Sequence, residues 1–143
     1  GSFLYYEILE VEMVGIVLAS HGDMAKGMLE SAEMIMGEQE QIQALALNPQ
    51  DDPLSLAEKM KEAAKAVDTG DGVILLVDLM GGSPSNASAY LAQEGVPVIT
   101  GMSLPMLLEL LGMRFEFSES LIDHIMEAGK SGIMDIRTIL GVK

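Results

Sequence analysis

Short apolar runs alternate along this chain with longer segments in which apolar residues recur at the spacing of a helix. The apolar runs predict strands over 14–19, 42–47, 73–77 and 96–100, and the periodic segments predict helices between them. Strands that alternate with helices are typical of a parallel sheet covered by helices on both faces. We therefore predict an α/β fold with a doubly wound, mainly parallel sheet in the strand order 2-1-3-4.

Turn and capping residues mark the ends of the predicted helices. An aspartate or serine directly before a proline is favoured at a helix N-terminus, and the chain has such pairs at Asp52-Pro53 and Ser83-Pro84. Pro97, inside the fourth apolar run, favours a position near an edge of the sheet. The predicted helices are 24–36, 53 to the residue before Gly70, one that opens at Ser83, 104–111, and one capped by Ser118.

The overall composition narrows the class of protein. A chain of 143 residues with 49% hydrophobic residues is long enough for one domain with a buried core, which we place at 13–143. Gly1-Ser2 is typical of a tag remnant, and we interpret 1–12 as such a remnant or as an upstream extension. The formal net charge of −14 argues against nucleic acid as a partner, and no apolar stretch is long enough for direct membrane insertion.

Two polar residues stand where an apolar strand gives way to a helix. His21 follows the first apolar run and Asp78 follows the third. Because the carboxyl ends of adjacent parallel strands meet at one edge of the sheet, we expect the two side chains to lie side by side. Asp78 then accepts a hydrogen bond from His21 Nδ1, which leaves Nε2 unprotonated as a nucleophile.

A Gly81-Gly82-Ser83 turn leads from this edge into the third predicted helix. Backbone N–H groups at a helix N-terminus, together with the helix dipole, attract an anion. The residues therefore predict a phosphoryl group on His21 that is held by Gly81, Gly82 and Ser83, without a metal ion or other cofactor.

Each of these signals also has a plainer interpretation. A histidine after a strand is often a loop residue, Asp78 alone is typical of a turn or helix cap, and Gly-Gly-Ser-Pro alone is typical of a turn. Their joint position at two adjacent strand ends favours a functional site. We interpret His124 as a surface residue of the fifth helix and the methionines as core residues, and no spacing of histidine and carboxylate resembles a metal site.

Four stretches of the chain resemble a known family. They are Gly15-Ile-Val-Leu-Ala-Ser-His-Gly22, Ala32-Glu-Met-Ile-Met-Gly-Glu-Gln-Glu40, Val73-Ile-Leu-Leu-Val-Asp-Leu-Met-Gly-Gly-Ser-Pro-Ser-Asn-Ala87 and Val98-Ile-Thr-Gly-Met-Ser-Leu-Pro-Met-Leu107. The chain resembles the EIIA domains of the mannose family of the bacterial phosphoenolpyruvate-dependent sugar phosphotransferase system. The main departure is Leu79, where a known member of the family carries threonine, so that holding of the phosphoryl group falls more on Ser83 and on backbone N–H groups.

The resemblance implies a cytoplasmic phosphotransferase in which His21 takes a phosphoryl group from the carrier protein HPr. His21 then passes the group to a histidine of a IIB domain, which phosphorylates a sugar entering through the membrane subunits IIC and IID. The resemblance also implies a homodimer in which a fifth strand, predicted over 133–140, is exchanged between the subunits. The identity of the sugar is not predicted.

The residues leave three other functions open. The first is an EIIA-like regulatory domain of a transcription activator, in which phosphorylation of His21 controls the protein. The second is the phosphotransfer subunit of dihydroxyacetone kinase. The third is a flavodoxin-like ligand-binding module with no chemistry of its own.

Overall fold

The computed structural model describes residues 12–48 and 50–143, so the predicted extension over 1–12 lies outside the described residues except for Glu12. The strands are β1 (Gly15–His21), β2 (Ile42–Leu47), β3 (Val73–Val77) and β4 (Val98–Ile99). The helices are α1 (Met24–Met36), α2 (Pro53–Val67), α3 (Gly82–Gln93), α4 (Leu104–Met113), α5 (Glu119–Ser131) and α6 (Ile136–Leu140). None of these helices is long and apolar enough to cross a membrane.

The strands of the described residues form one parallel sheet in the order β2-β1-β3-β4. In β1, Ile16 pairs with Ile42 on one side and with Ile74 on the other. The predicted strand order and the parallel direction are therefore confirmed. Because the strand order reverses between β1 and β3, the carboxyl ends of these two strands flank the crevice where such sheets bind their ligands.

Alternating side chains of β1 fill two cores, one on each face of the sheet. Ile16 and Leu18 lie in the core that α1, α4 and α5 cover. Val17 and Ala19 lie in the core that α2 and α3 cover, because successive residues of a strand point to opposite faces. The prediction of helices on both faces is thus confirmed.

The ends of two strands differ from the prediction. β1 continues past residue 19 to His21, because His21 still pairs with Leu47 of β2. β4 contains only two residues of the predicted span 96–100. Pro97 has no N–H to donate to a neighbouring strand, and the N–H of Val96 donates instead to Leu91 O of α3. β4 is an edge strand of the sheet, in agreement with the position of Pro97.

Arg114 is a fully buried charged residue that the sequence did not single out. Its Nε and Nη2 atoms donate to Val14 O at 3.1 and 2.9 Å, and Nη2 also donates to Gln41 O at 2.8 Å. Burial lowers the pKa of the guanidinium to about 10. This side chain therefore joins the backbone at the amino ends of β1 and β2, at the opposite end of β1 from His21.

The C-terminal segment is helical, so the predicted fifth strand over 133–140 is wrong for this chain. Asp135 caps α6 by accepting a hydrogen bond from Arg137 N–H at 2.9 Å. Ile136, Ile139 and Leu140 follow the spacing of a helix, which explains why the alternation in the sequence is imperfect. Their side chains are 69%, 62% and 70% exposed. The expected exchange of a strand between subunits is not confirmed.

Candidate functional site

His21, the last residue of β1, and Asp78, the residue after β3, lie in contact at the carboxyl edge of the sheet. His21 Nδ1 is 2.7 Å from Asp78 Oδ2, and the backbone N–H of His21 donates to the same oxygen at 2.9 Å. The N–H of Leu79 donates to the other carboxylate oxygen, Oδ1, at 2.9 Å. Asp78 therefore holds both the ring and the main chain of His21.

Hydrogen bonding favours the ionised form of Asp78, although its side chain is only 7% exposed. Burial raises the pKa of this carboxyl, but hydrogen bonds from the backbone and ring of His21 and from Leu79 N–H outweigh it, so the pKa lies below its ordinary value. An ionised carboxylate only accepts hydrogen bonds, so the neutral His21 ring carries its proton on Nδ1. Nε2 then has a free lone pair on a side chain that is 56% exposed.

The start of α3 lies against the His21 ring. Gly81 and Gly82 have φ angles of 88° and 83°, in the left-handed region that favours glycine. A Cβ atom at Gly82 would lie 3.4 Å from His21 Cε1 and 3.5 Å from Nε2. The absence of a side chain at Gly82 therefore leaves space between the backbone of α3 and the unprotonated nitrogen.

The N-terminus of α3 offers backbone donors at this space. Gly81 occupies the capping position and has no side chain that accepts from the first turn of the helix. N–H groups that are not used inside a helix, together with the helix dipole, stabilise a negative charge. Ser83 is exposed in this first turn. The structure thus brings His21, Asp78 and Gly82 together, with Gly81 and Ser83 on either side of Gly82 in the chain. The roles of these residues in holding a phosphoryl group stay predictions.

Three exposed apolar side chains lie within three residues of His21 or Asp78 in the chain. Met24, at the start of α1, is 48% exposed, and Leu79 and Met80 are 49% and 78% exposed. The interpretation of the methionines as core residues is therefore wrong for Met24 and Met80. It is also wrong for Met34, Met36 and Met134, which are 88%, 42% and 65% exposed, although Met60 is fully buried. Exposed apolar groups beside a reactive side chain are typical of a surface that docks another protein.

The second histidine lies apart from this site. His124 is exposed on α5, and its Nδ1 is 2.6 Å from the carbonyl oxygen of Ser120, one turn earlier in the helix. Within residues 12–48 and 50–143, no group of three or more histidines and carboxylates is arranged to hold a metal ion.

The family of the chain follows from a comparison with protein-family models. The model described as "PTS system fructose IIA component", of the EIIA-man type, matches residues 15–128. The matched range contains His21, Asp78 and the start of α3. The chain therefore belongs to the mannose-type EIIA family of the phosphotransferase system, as the resemblance predicted.

Individual relatives agree with this family. The PTS system mannose-specific EIIAB component of Escherichia coli (strain K12) is 36% identical over 129 residues, which cover 87% of this chain and 40% of that protein. The PTS system fructose-specific EIIA component of Bacillus subtilis (strain 168) is 34% identical over 104 residues, which cover 71% of each chain. The crystal structure of phosphotransferase system component EIIA from Streptococcus agalactiae has a TM-score of 0.79 and 27% identity, over 88% of this chain and 99% of that chain.

These relatives define the general class of activity. The chain is a phosphotransferase-system component of the EIIA type, and it spans about 40% of the length of the Escherichia coli protein. The relatives do not favour the regulatory or dihydroxyacetone kinase alternatives. The names of these relatives include different sugars, mannose and fructose.

Proposed function

We propose that this protein is a cytoplasmic phosphoryl carrier, in which His21 accepts a phosphoryl group from HPr and passes it to a histidine of a IIB domain. The observation that supports this most directly is the 2.7 Å contact between His21 Nδ1 and Asp78 Oδ2. This contact leaves Nε2 as the nucleophilic nitrogen. Gly82 gives the same nitrogen access to the backbone of α3.

The proposed transfer exchanges one N–P bond for another. The lone pair of His21 Nε2 attacks the phosphorus of a phosphohistidine on HPr, and the electron pair of the broken N–P bond returns to the imidazole of HPr. The phosphorylated His21 ring keeps its proton on Nδ1 and is cationic, so the charge of Asp78 stabilises it. N–H groups at the start of α3, with the hydroxyl of Ser83, hold the phosphoryl oxygens. Transfer to IIB repeats these steps with His21 as the donor.

Charge and surface chemistry support protein partners for this site. The formal net charge of −14 favours partners that present positive charge. The exposed side chains of Met24, Leu79 and Met80 offer apolar contacts next to the reacting nitrogen. In this proposal HPr and IIB dock in turn on this surface, and the membrane subunits IIC and IID are engaged only through IIB.

We also propose that the protein is a homodimer. The apolar side chains of Ile133, Ile136, Ile139 and Leu140 are each more than 60% exposed, which is unusual for a surface exposed to water alone. Ile133 also lines an open pocket of about 400 Å³ beside β4, which is one of the two edge strands of the described sheet. A second copy of the chain that covers this region would bury the same side chains on both subunits.

Phosphorylation in a reconstituted system tests the carrier function. The protein is incubated with phosphoenolpyruvate, enzyme I and HPr, and its intact mass and acid stability are then measured. We expect one acid-labile phosphate, which is lost in His21→Ala and retained in the control His124→Ala. An acid-labile phosphate on His21→Ala, or no phosphate on the unmodified protein, would overturn the proposal. Transfer to IIB is measured by adding a purified IIB domain to the phosphorylated protein.

A further inference from the structure

Ser20 precedes His21 in β1, and the two side chains belong to opposite faces of the sheet. Ile16 and Leu18, on the face of Ser20, pack beneath α1, whereas Val17 and Ala19, on the face of His21, pack beneath α2 and α3. Ser20 is fully buried, although it is next to an exposed residue. A buried hydroxyl in an apolar core is costly unless it forms hydrogen bonds.

The hydroxyl of Ser20 makes two such bonds, one to the turn that follows His21 and one to the first turn of α1. Ser20 Oγ accepts from the N–H of Ala25 at 2.8 Å and donates to Gly22 O at 3.2 Å. Ala25 is the second residue of α1, whose N–H has no partner inside the helix. Asp23 occupies the capping position of α1 but makes no side-chain cap bond. Ser20 therefore caps α1 from three residues before the usual position.

The bonds of Ser20 complete a set of contacts around the backbone of His21. The N–H of His21 donates to Asp78, the residue after β3. The N–H of Gly22 donates to Leu47 O, at the end of β2, at 3.2 Å. These two bonds hold the N–H groups of the turn. The carbonyl of Gly22 is held by Ser20. Without the Ser20 hydroxyl, the carbonyl of Gly22 and the N–H of Ala25 both lose their hydrogen bonds. The turn around Gly22, which has a φ of 55°, is then held only through the N–H groups of His21 and Gly22.

We propose that Ser20 is a positioning residue that orients the His21 imidazole toward Asp78 and the start of α3. Ser20 acts through the backbone of the turn and touches neither the ring nor a transferred group. This inference rests on the proposed phosphoryl-carrier function, because it assigns the residue that keeps the carrier nitrogen in place for transfer. Displacement of a reacting atom by a fraction of its contact distance is enough to slow a positioned reaction.

Three variants test this assignment. Ser20→Ala removes both hydrogen bonds, Ser20→Thr keeps the hydroxyl, and Ser88→Ala is the matched control. Ser88 is also a buried serine whose hydroxyl bonds a backbone carbonyl, Ser85 O at 2.7 Å, but this bond lies within α3. In Ser20→Ala we expect phosphorylation by HPr to slow about tenfold at saturating donor. We expect Ser20→Thr to recover most of the rate and Ser88→Ala to keep it.

Nitrogen chemical shifts of the His21 ring give a readout that a loss of stability alone does not change. In the unphosphorylated protein we expect a single Nδ1–H tautomer for the unmodified chain, Ser20→Thr and Ser88→Ala, and a mixture of tautomers for Ser20→Ala. If Ser20→Ala does not fold, as judged by circular dichroism, Ser20→Cys takes its place, because sulfur keeps the shape but weakens both bonds. The same shift and the same slowing are then expected.

The outcomes separate this inference from the carrier function. Ring signals and transfer rates of a folded Ser20→Ala or Ser20→Cys that equal those of the unmodified protein would refute the positioning role. An equal loss in Ser88→Ala would also refute it, because the effect would then be a general one of buried hydroxyls. If the unmodified protein takes no phosphate, the carrier function fails, whereas the ring tautomers still report whether Ser20 orients His21.

Discussion

Replacement of Asp78 by asparagine isolates the role of its charge and hydrogen bonds, because asparagine has almost the same shape. In the native site three N–H groups donate to the two carboxylate oxygens: His21 Nδ1–H, the backbone N–H of His21 and that of Leu79. Asparagine offers one oxygen and one NH₂ group in their place. At least one of the three donors then faces another donor.

The magnitude of the effect follows from these bonds. An unsatisfied buried donor costs about 1–3 kcal/mol, and a hydrogen bond to a charged group contributes about 1.5–3 kcal/mol. A loss of that size in the transition state slows a reaction by about tenfold for each 1.4 kcal/mol. We therefore expect Asp78→Asn to accept a phosphoryl group from HPr about 10 to 100 times more slowly, with the fold retained.

Stopped-flow or rapid-quench measurement of single-turnover phosphorylation tests this prediction. Asp23→Asn is the control, because it removes a carboxylate two residues from His21 that makes no side-chain cap bond. Unchanged kinetics in Asp78→Asn would show that Asp78 only terminates β3. An equal slowing in Asp23→Asn would show that overall charge near the site, and not the hydrogen bonds of Asp78, controls the rate.

The pH dependence of stability gives an independent check on Asp78. The pKa of its carboxyl in the folded state lies below the ordinary value, with burial opposing and the hydrogen bonds from His21 and Leu79 favouring ionisation. Its ionised form therefore stabilises the fold above about pH 4, and this contribution is lost as the pH falls through the folded-state pKa. Urea unfolding between neutral and acid pH is expected to show a smaller acid loss of stability in Asp78→Asn. An identical acid loss in both proteins contradicts this account.

Three further predictions concern other parts of the molecule. Gly81→Ala and Gly82→Ala each place a Cβ on a residue with positive φ, which strains the backbone by about 1–3 kcal/mol. Only the Cβ at position 82 meets His21, so only Gly82→Ala should also slow phosphorylation, and equal rates in the two variants contradict this. Arg114→Met should lower the free energy of unfolding by about 2–4 kcal/mol, because Val14 O and Gln41 O lose their donors. The control Arg137→Met, at an exposed residue, should change this free energy little, and urea unfolding measures both. Removal of residues 132–143 should convert a dimer into a monomer or an aggregate in sedimentation velocity, and a stable dimer after truncation would contradict the proposed contact.

The sheet and the position of the candidate site were predictable because they depend on residues that are apolar without interruption. β1 and β3 are buried on both faces, so their sequences read as continuous apolar runs, and a polar residue after such a run marks the edge of the sheet. The contact of His21 with Asp78 then depends only on the strand order. Gly81 and Gly82 were recognisable because a left-handed backbone favours glycine.

The parts that could not be predicted depend on contacts between distant segments. From the sequence alone, Arg114 is expected to lie on the surface, as most arginines do. Its burial depends on carbonyl groups that are 73 and 100 residues away in the chain. The spacing of Ile136, Ile139 and Leu140 fits a helix, but its apolar residues also give a partial alternation that resembles a strand. Met24 and Met80 are close to His21 and Asp78 in the sequence, but methionine is usually buried, and only the structure shows that these two side chains are exposed.

The double contact of Asp78 with His21 has a consequence for how the site responds to a partner. The backbone pairing between β1 and β3 ends at Ala19 and Val77. Beyond this pair, the carboxylate of Asp78 accepts a hydrogen bond from the N–H of His21 and so extends the contact between the two strands by one bond. Because the same oxygen also binds the imidazole, the ring orientation is tied to the alignment of two central strands and not to a loose loop. An incoming protein therefore meets a histidine that is already ordered, and little of its binding energy is spent on freezing that side chain.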